Sequence, residues 1–190
     1  FYLAKVIWSS IGECVVSAQA CMDWMQKIAR DVSKENIPII WQTPSGFKVV
    51  QQYPEYKTLR IQTHIDGHLM RPRLANPDYQ KVDKKRAASG LCPNFIHSLD
   101  SSFLILTVLK CQEEGVKDFW MIHDSFGTTA KHAATLARCL REEYIKFFEE
   151  NDVVEDFRQQ MLKCIPDVAP APKRGTLDLK GVMESEYFFS

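Results

Sequence analysis

The chain has no Cys-x-x-C pair, no signal-peptide pattern, no apolar run long enough to cross a membrane, no internal repeat and no net charge. Each absence closes a route. The six cysteines (Cys14, Cys21, Cys92, Cys111, Cys139, Cys164) lack zinc or redox spacing. They read as reduced, mostly buried thiols of a cytosolic protein. Without a leader or spanning segment, no membrane partner is expected. Lys plus Arg and Asp plus Glu are both 24, so overall charge does not point to a polyanion.

The distribution of charge does. Residues 48–86 hold nine basic side chains against four acidic, and residues 142–160 hold seven acidic against two basic. One region suits a nucleic acid and the other does not. The 190 residues, with ordinary apolar and charged content, are enough for one domain with a real core. The first residue is Phe1, and helical periodicity is present from it, so the chain is expected to be part of something longer.

Apolar side chains from Leu3 to Met25 recur at steps of three and four, predicting an amphipathic helix to about Arg30. Residues 38–42 and 47–52 read as strands around the turn Pro44-Ser45-Gly46. In residues 59–65 alternation puts Arg60, Gln62 and His64 on one face and Leu59, Ile61 and Ile65 on the other. Asp66-Gly67 is a hairpin turn, with a return strand over 68–74 and an edge marked by Pro72. Residues 76–85 read as loop, Gly90 as a break, and Pro93 as the first turn of a helix running to about Glu114 and stopping at Gly115. Residues 119–122 read as a buried strand and 126–129 as its antiparallel partner. Helices over about 131–150 and from an Asn151 or Asp152 cap to about Cys164 follow, then a proline-rich connection and an aromatic terminus.

Between the two short strands lies His123-Asp124-Ser125. An aspartate at the tip of a hairpin whose strands are anchored in a core is held rigidly at a surface. Magnesium takes oxygen ligands and few protein carboxylates, leaving positions for water and substrate phosphate. Nucleotidyl transfer uses two such ions. Taken alone, the tripeptide reads more readily as a turn, with Asp124 and Ser125 bonding to backbone. A hydrolase with Ser125 as nucleophile and His123 as base fits worse, because strand neighbours point apart and no nucleophile-elbow glycines surround Ser125.

The wider string resembles a known family. Residues 119–128, FWMIHDSFGT, closely resemble the third conserved motif of bacteriophage-type single-subunit DNA-directed RNA polymerases. Related DNA polymerases usually place Glu after the His-Asp pair, where this chain has Ser125. Residues 89–100, SGLCPNFIHSLD, look like the family's helix leading into the palm. The opening FYLAKVIW, the Asn151-Asp152-Val153 segment and the terminal EYFFS also match, in family order.

The resemblance implies an α+β fold, part of a right-hand polymerase. Residues 1–36 would be a fingers-side helix, 37–86 a promoter-specificity β-hairpin region, and 87–190 a palm with the catalytic hairpin and a C-terminal foot at Phe188 and Phe189. The implied activity is promoter-dependent RNA synthesis from ribonucleoside triphosphates with Mg2+. Promoter DNA, template DNA and nascent RNA are the implied partners, in the cytoplasm of an infected bacterium. Asp124 would be one of two metal-binding aspartates, with His123 positioning the growing RNA end and His97 touching the minor groove of the RNA–DNA hybrid. Asn94 and Asp100 would support that helix. Arg60, Gln62 and His64 would face promoter bases, Arg pairing best with guanine and Gln with adenine, and His68 or Arg71 would add contacts. Met70 and Pro72, with His68, stand where longer polar readers are expected, so promoter preference would differ from the best-known members. Lys81, Lys84, Lys85 and Arg86 form a basic cluster suited equally to phosphate or to solvent.

The family's first metal-binding aspartate and its nucleotide-binding Lys, Arg and Tyr find no match in this chain. They would belong to an N-terminal remainder, and the chain alone would be inactive. Three other readings stand beside this one. A related DNA polymerase is disfavoured by Ser125. A non-enzymatic DNA-binding module leaves the HDSFG string unexplained. An organellar relative would carry a bulkier aromatic pair where this chain has Phe126-Gly127.

Overall fold

The computed structural model describes residues 1–188. Phe189 of the expected foot lies outside them. The order is α1 (Tyr2–Cys14), α2 (Val16–Lys34), β1 (Ile39–Gln42), β2 (Lys48–Gln51), β3 (Pro54–Arg60), β4 (Thr63–Ile65), β5 (His68–Met70), β6 (Arg73–Val82), α3 (Lys84–Glu113), β7 (Trp120–Ile122), β8 (Ser125–Gly127), α4 (Ala133–Glu150) and α5 (Val153–Met161), with 3₁₀ turns at Ala130–His132 and Leu179–Met183. The class is α+β, as expected. The strands pair as β1–β2, β3–β6, β4–β5 and β7–β8, all antiparallel, and these pairs do not join into a larger sheet among the described residues.

Helices therefore supply the core. Trp24, Met25, Ile28, Ala29 and Val32 of α2 pack against Ala87, Ala88, Leu91, Phe95 and Leu99 of α3, with Ile39 and Trp41 of β1 and Phe157 and Met161 of α5 closing the cluster. Each large apolar side chain buried this way contributes roughly 1.5–3 kcal/mol. The polar ends of the tryptophans are satisfied: Trp41 Nε1 donates to Ser98 Oγ at 3.0 Å and Trp24 Nε1 to the Ala169 carbonyl at 3.1 Å. A second cluster joins Phe103 and Cys111 of α3, Val116, and Leu136, Cys139 and Leu140 of α4. Phe188 of the terminal segment packs on it, its ring 5.2 Å from Tyr144.

Several expectations need correction. The first helix is two: Val15 leaves helical geometry (φ −122°, ψ 56°) between α1 and α2, and no residue of α1 is buried. The β-branched pair Val15-Val16 is a weak point for a helix that has no packing to hold it. Residues 76–82, expected as loop, continue β6, because the hairpin ladder reaches back to Pro54↔Val82. Helix α3 starts at Lys84 rather than at Pro93 and runs through both Gly90 and Pro93. Asp83 caps it, accepting from Lys85 and Arg86 N–H at 3.1 and 3.0 Å. Burial of Ala87, Ala88 and Leu91 against α2 outweighs the amide bond lost at Pro93. The Gly90 hydrogen side faces the Tyr53 ring, where a Cβ would meet ring atoms at 2.9 Å, so this glycine permits a close approach rather than a break.

Strand β7 is not buried throughout. Met121 packs inward while Trp120 and Ile122 are 63% and 71% exposed, since helices cover only one face of a two-stranded sheet. The thiols are also less buried than expected: Cys111 and Cys139 are buried, Cys21 and Cys92 half-buried, Cys14 and Cys164 exposed. Desolvation pushes the Cys92 thiol up to about 11 and Cys111 up to about 12. Finally, α3 is long and apolar enough to cross a membrane by length and composition, a run that the sequence reading does not find. Its Leu91, Phe95, Leu99, Phe103 and Cys111 lie in the two clusters just described.

Candidate active site and nucleic-acid interface

Two hairpins carry the residues singled out from sequence. The shorter is β7–β8. Its ladder runs Trp120↔Gly127, Met121↔Phe126 and Ile122↔Ser125, leaving His123-Asp124 as a two-residue turn. His123 sits at φ +53°, a left-handed conformation that costs a non-glycine residue of order 1 kcal/mol. The hairpin is pinned from below. The Phe126 ring lies 5.9 Å from Phe103 in an edge-to-face contact, and Phe103 in turn meets Tyr144 and Phe147 at 5.7 and 6.3 Å. Helices α3 and α4 beneath are braced where Arg138 donates to Glu114 at 2.6 Å, a bond that holds the Glu114 carboxyl below its usual range.

The turn opens into a cleft of about 460 Å³ lined by His97, Asp100, Ser101, Leu104, His123 and Asp124. His97, Asp100, Ser101 and Leu104 follow at helical steps of three, four and seven along α3, and Phe95, Leu99 and Phe103 on the other side of that helix are in the core. One helix thus places a histidine and a carboxylate opposite the histidine and carboxylate of the turn. The structure brings His97, His123 and Asp124 together. It adds Asp100 and Ser101 to the cleft lining, a role that the step of three and four from His97 signals in the sequence. Asn94 acts elsewhere. Its amide donates to Gln51 Oε1 at 2.9 Å and to Tyr53 Oη at 3.1 Å, tying α3 to β2 and to the foot of the second hairpin.

As a magnesium site the cleft is partial. Asp124 is exposed and offers hard oxygen donors, and a histidine-rich surround is not what that ion selects. Among the described residues no group of three or more His, Cys, Asp or Glu side chains is placed to hold a metal. The cleft's own carboxylates, Asp124 and Asp100, are too few to hold an ion by themselves and fit one shared with ligands from elsewhere.

The second hairpin is a long ribbon from Pro54 to Val82. Its register is unbroken from Glu55↔Asp78 through Arg60↔Arg73 and Thr63↔Met70 to Ile65↔His68, with the Ile61 amide donating to the Pro72 carbonyl at 3.1 Å across the gap. The tip is Asp66-Gly67, both at positive φ (51° and 78°), as a type I′ turn requires. Cross-strand partners share a face. The face of Arg60, Gln62 and His64 therefore also carries Arg73, Arg71 and Leu69, and its strand positions from Tyr56 to Pro77 hold no acidic residue, Asp66 lying in the tip turn. The opposite face carries Leu59, Ile61, Ile65, Met70 and Leu74, and His68 sits there beside the tip. Lys57 is on that second face and already paired with Asp78 at 3.2 Å. Arg73 is a residue that sequence reasoning missed. Its signal is the pairing distance from the Asp66-Gly67 turn, which puts it opposite Arg60.

At the root of the ribbon Arg86 lies over the Tyr53 and Tyr56 rings, 5.2 and 5.9 Å from their centroids. Arg30, Lys84 and Lys85 line a neighbouring surface cleft between α2 and the start of α3.

A DNA-dependent RNA polymerase family model matches residues 1–169. The T7 RNA polymerase of Escherichia phage T7 is 32% identical over 208 residues, covering all of this chain and 24% of its own length. The DNA-directed RNA polymerase of Enterobacteria phage K11 is 33% identical, with 23% of its length covered. The chloroplastic/mitochondrial DNA-directed RNA polymerase 2B of Nicotiana tabacum is 34% identical over 191 residues, with 18% covered. The chain belongs to the DNA-dependent RNA polymerase family and spans about a quarter or less of the length of these relatives.

Proposed function

We propose that this chain is the C-terminal portion of a phage-type single-subunit RNA polymerase that makes RNA from ribonucleoside triphosphates on promoter-bearing DNA. The observation that carries this is the meeting of His97, His123 and Asp124 in one cleft, within a chain whose family match runs from residue 1 to 169. Residues 1–36 act as the fingers-side helix, 37–86 as the promoter-specificity region and 87–190 as the palm and foot. Asp124 offers its carboxylate to Mg2+. When bound, two such ions stabilise the charge on the attacking and leaving oxygens of nucleotidyl transfer. The second carboxylate comes from the part of the polymerase outside these 190 residues, which also binds the nucleotide. The 190 residues alone are inactive.

His123, fixed by the tight turn, orients the 3′ end of the RNA, and His97 touches the minor-groove side of the hybrid from α3. Arg60, Gln62, His64 and Arg71 approach promoter bases from one ribbon face, and His68 meets DNA from the tip. Phe126-Gly127 after the turn favours a phage enzyme acting in the cytoplasm of its bacterial host over an organellar one.

The test is Asp124→Asn in the intact polymerase. RNA synthesis should fall by roughly 10³-fold, the scale of removing one group from a preorganised electrostatic site, with DNA affinity unchanged. Elongation at near wild-type rate by that variant would remove the metal role.

A further inference from the structure

We propose that Arg73 and Arg86 grip DNA phosphates beside the positions that reach bases, so that one face of the ribbon carries phosphate contacts from its middle to its root. This rests on the ribbon being the promoter-binding hairpin.

Arg73 stands directly opposite Arg60 on the same face. Side chains so placed start about 4.5–5.5 Å apart at Cβ, and like charges there destabilise the pair. Among the described residues no carboxylate is paired with either guanidinium. Apart from Asp66 in the tip turn the face has no acidic residue, and none of Arg60, Arg71, Arg73 and Arg86 enters an ion pair among the described residues. The missing counter-charge is an anion from outside. A guanidinium binds phosphate oxygens through two parallel N–H donors, a geometry ammonium groups cannot supply. Repulsion also splays the two guanidiniums, so they serve different groups of the ligand: Arg60 a base edge, Arg73 the backbone.

Arg86 extends the same face. Tyr56, over which it stacks, is on the Arg60 side of the ribbon. Stacking occupies the flat faces of the guanidinium and leaves its N–H edge free. Tyr56 is four residues from Arg60, about 13 Å along a strand. The major groove is about 8.5 Å deep. A ribbon that enters it tip first sets Gln62, His64 and Arg71 towards the bases. The level of Arg73 comes next, and Arg86 lies at the rim, where phosphates are.

The experiment uses the intact polymerase and a random-sequence DNA duplex library, read two ways. Affinity is followed across a salt series, and base preference is read by sequencing the bound fraction. Arg73→Gln and Arg86→Gln should each weaken binding about tenfold at low salt and reduce the slope of log affinity against log salt by about 0.9. The double variant should lose about twice that slope, and recovered base preferences should match wild type. An unchanged slope, or a changed base preference at one position, would overturn the assignment while leaving the promoter-hairpin reading intact. A wild-type protein that does not bind the library would overturn both.

Discussion

The two hairpins solve opposite problems with the same turn length. Both close on two residues with the first at positive φ, Asp66 at 51° and His123 at 53°. The β7–β8 hairpin is three pairs long, rests one face on Phe103, and carries an acidic tip. The ribbon is far longer, is exposed on both faces beyond its root, and carries a basic face. Anchoring holds the Asp124 carboxylate in one place, as the proposed metal role requires. Length without packing gives reach, and leaves rigidity to be completed by whatever the ribbon touches. In this molecule position is precise where α3 and α4 lie underneath, and adaptable where nothing does.

The contrast can be broken at the anchor first. Phe103→Ala removes the ring under Phe126 and should destabilise the protein by about 3–5 kcal/mol in urea denaturation. In the intact polymerase it should depress RNA synthesis more than DNA affinity. An equal fall in both would mean the two hairpins are not mechanically separate. The reverse cut replaces residues 61–72 with an Asn-Gly turn. Stability should stay within about 0.5 kcal/mol, because the removed side chains are exposed or only half-buried. Promoter affinity should drop roughly 10²-fold through the loss of Gln62, His64 and Arg71 with the tip. The smallest effect sits at the turn. His123→Val should cost about 1–2 kcal/mol in stability, a branched side chain being strained at this φ, and His123→Gly should cost none. Both should slow synthesis, which separates the backbone strain from the imidazole.

Turn chemistry and alternation were legible in the sequence. Asp66-Gly67, Pro44-Ser45-Gly46 and the stop at Gly115 follow from local backbone preferences, and the Arg60–Gln62–His64 face follows from a period of two. The misses share a cause. Whether α3 continued through Gly90 and Pro93 depended on α2 packing against Ala87 and Leu91, contacts some sixty residues apart in sequence. Whether residues 76–82 were strand depended on a partner at 54–57. The face of Trp120 and Ile122 reads as buried because a wholly apolar strand implies cover on both sides, and here only one side has it. For the site, His97, His123 and Asp124 came from resemblance to a family. Periodicity alone would have drawn Asp100 and Ser101 in beside His97, and register alone would have drawn Arg73 in beside Arg60.

Helix α3 begins under the stacked Arg86, accepts the Tyr53 ring against the bare side of Gly90, and reaches His97 eleven residues after Arg86, about 16 Å along its axis. Asn94 bolts it to Tyr53 on the way. The helix is in effect a ruler with the ribbon's foot at one mark and the cleft of His97 and Asp124 at another. A residue inserted between Gly90 and His97 would turn His97 by about 100° and move it about 1.5 Å, so the distance from the proposed DNA grip to the proposed metal site is written in the count of residues along a single helix.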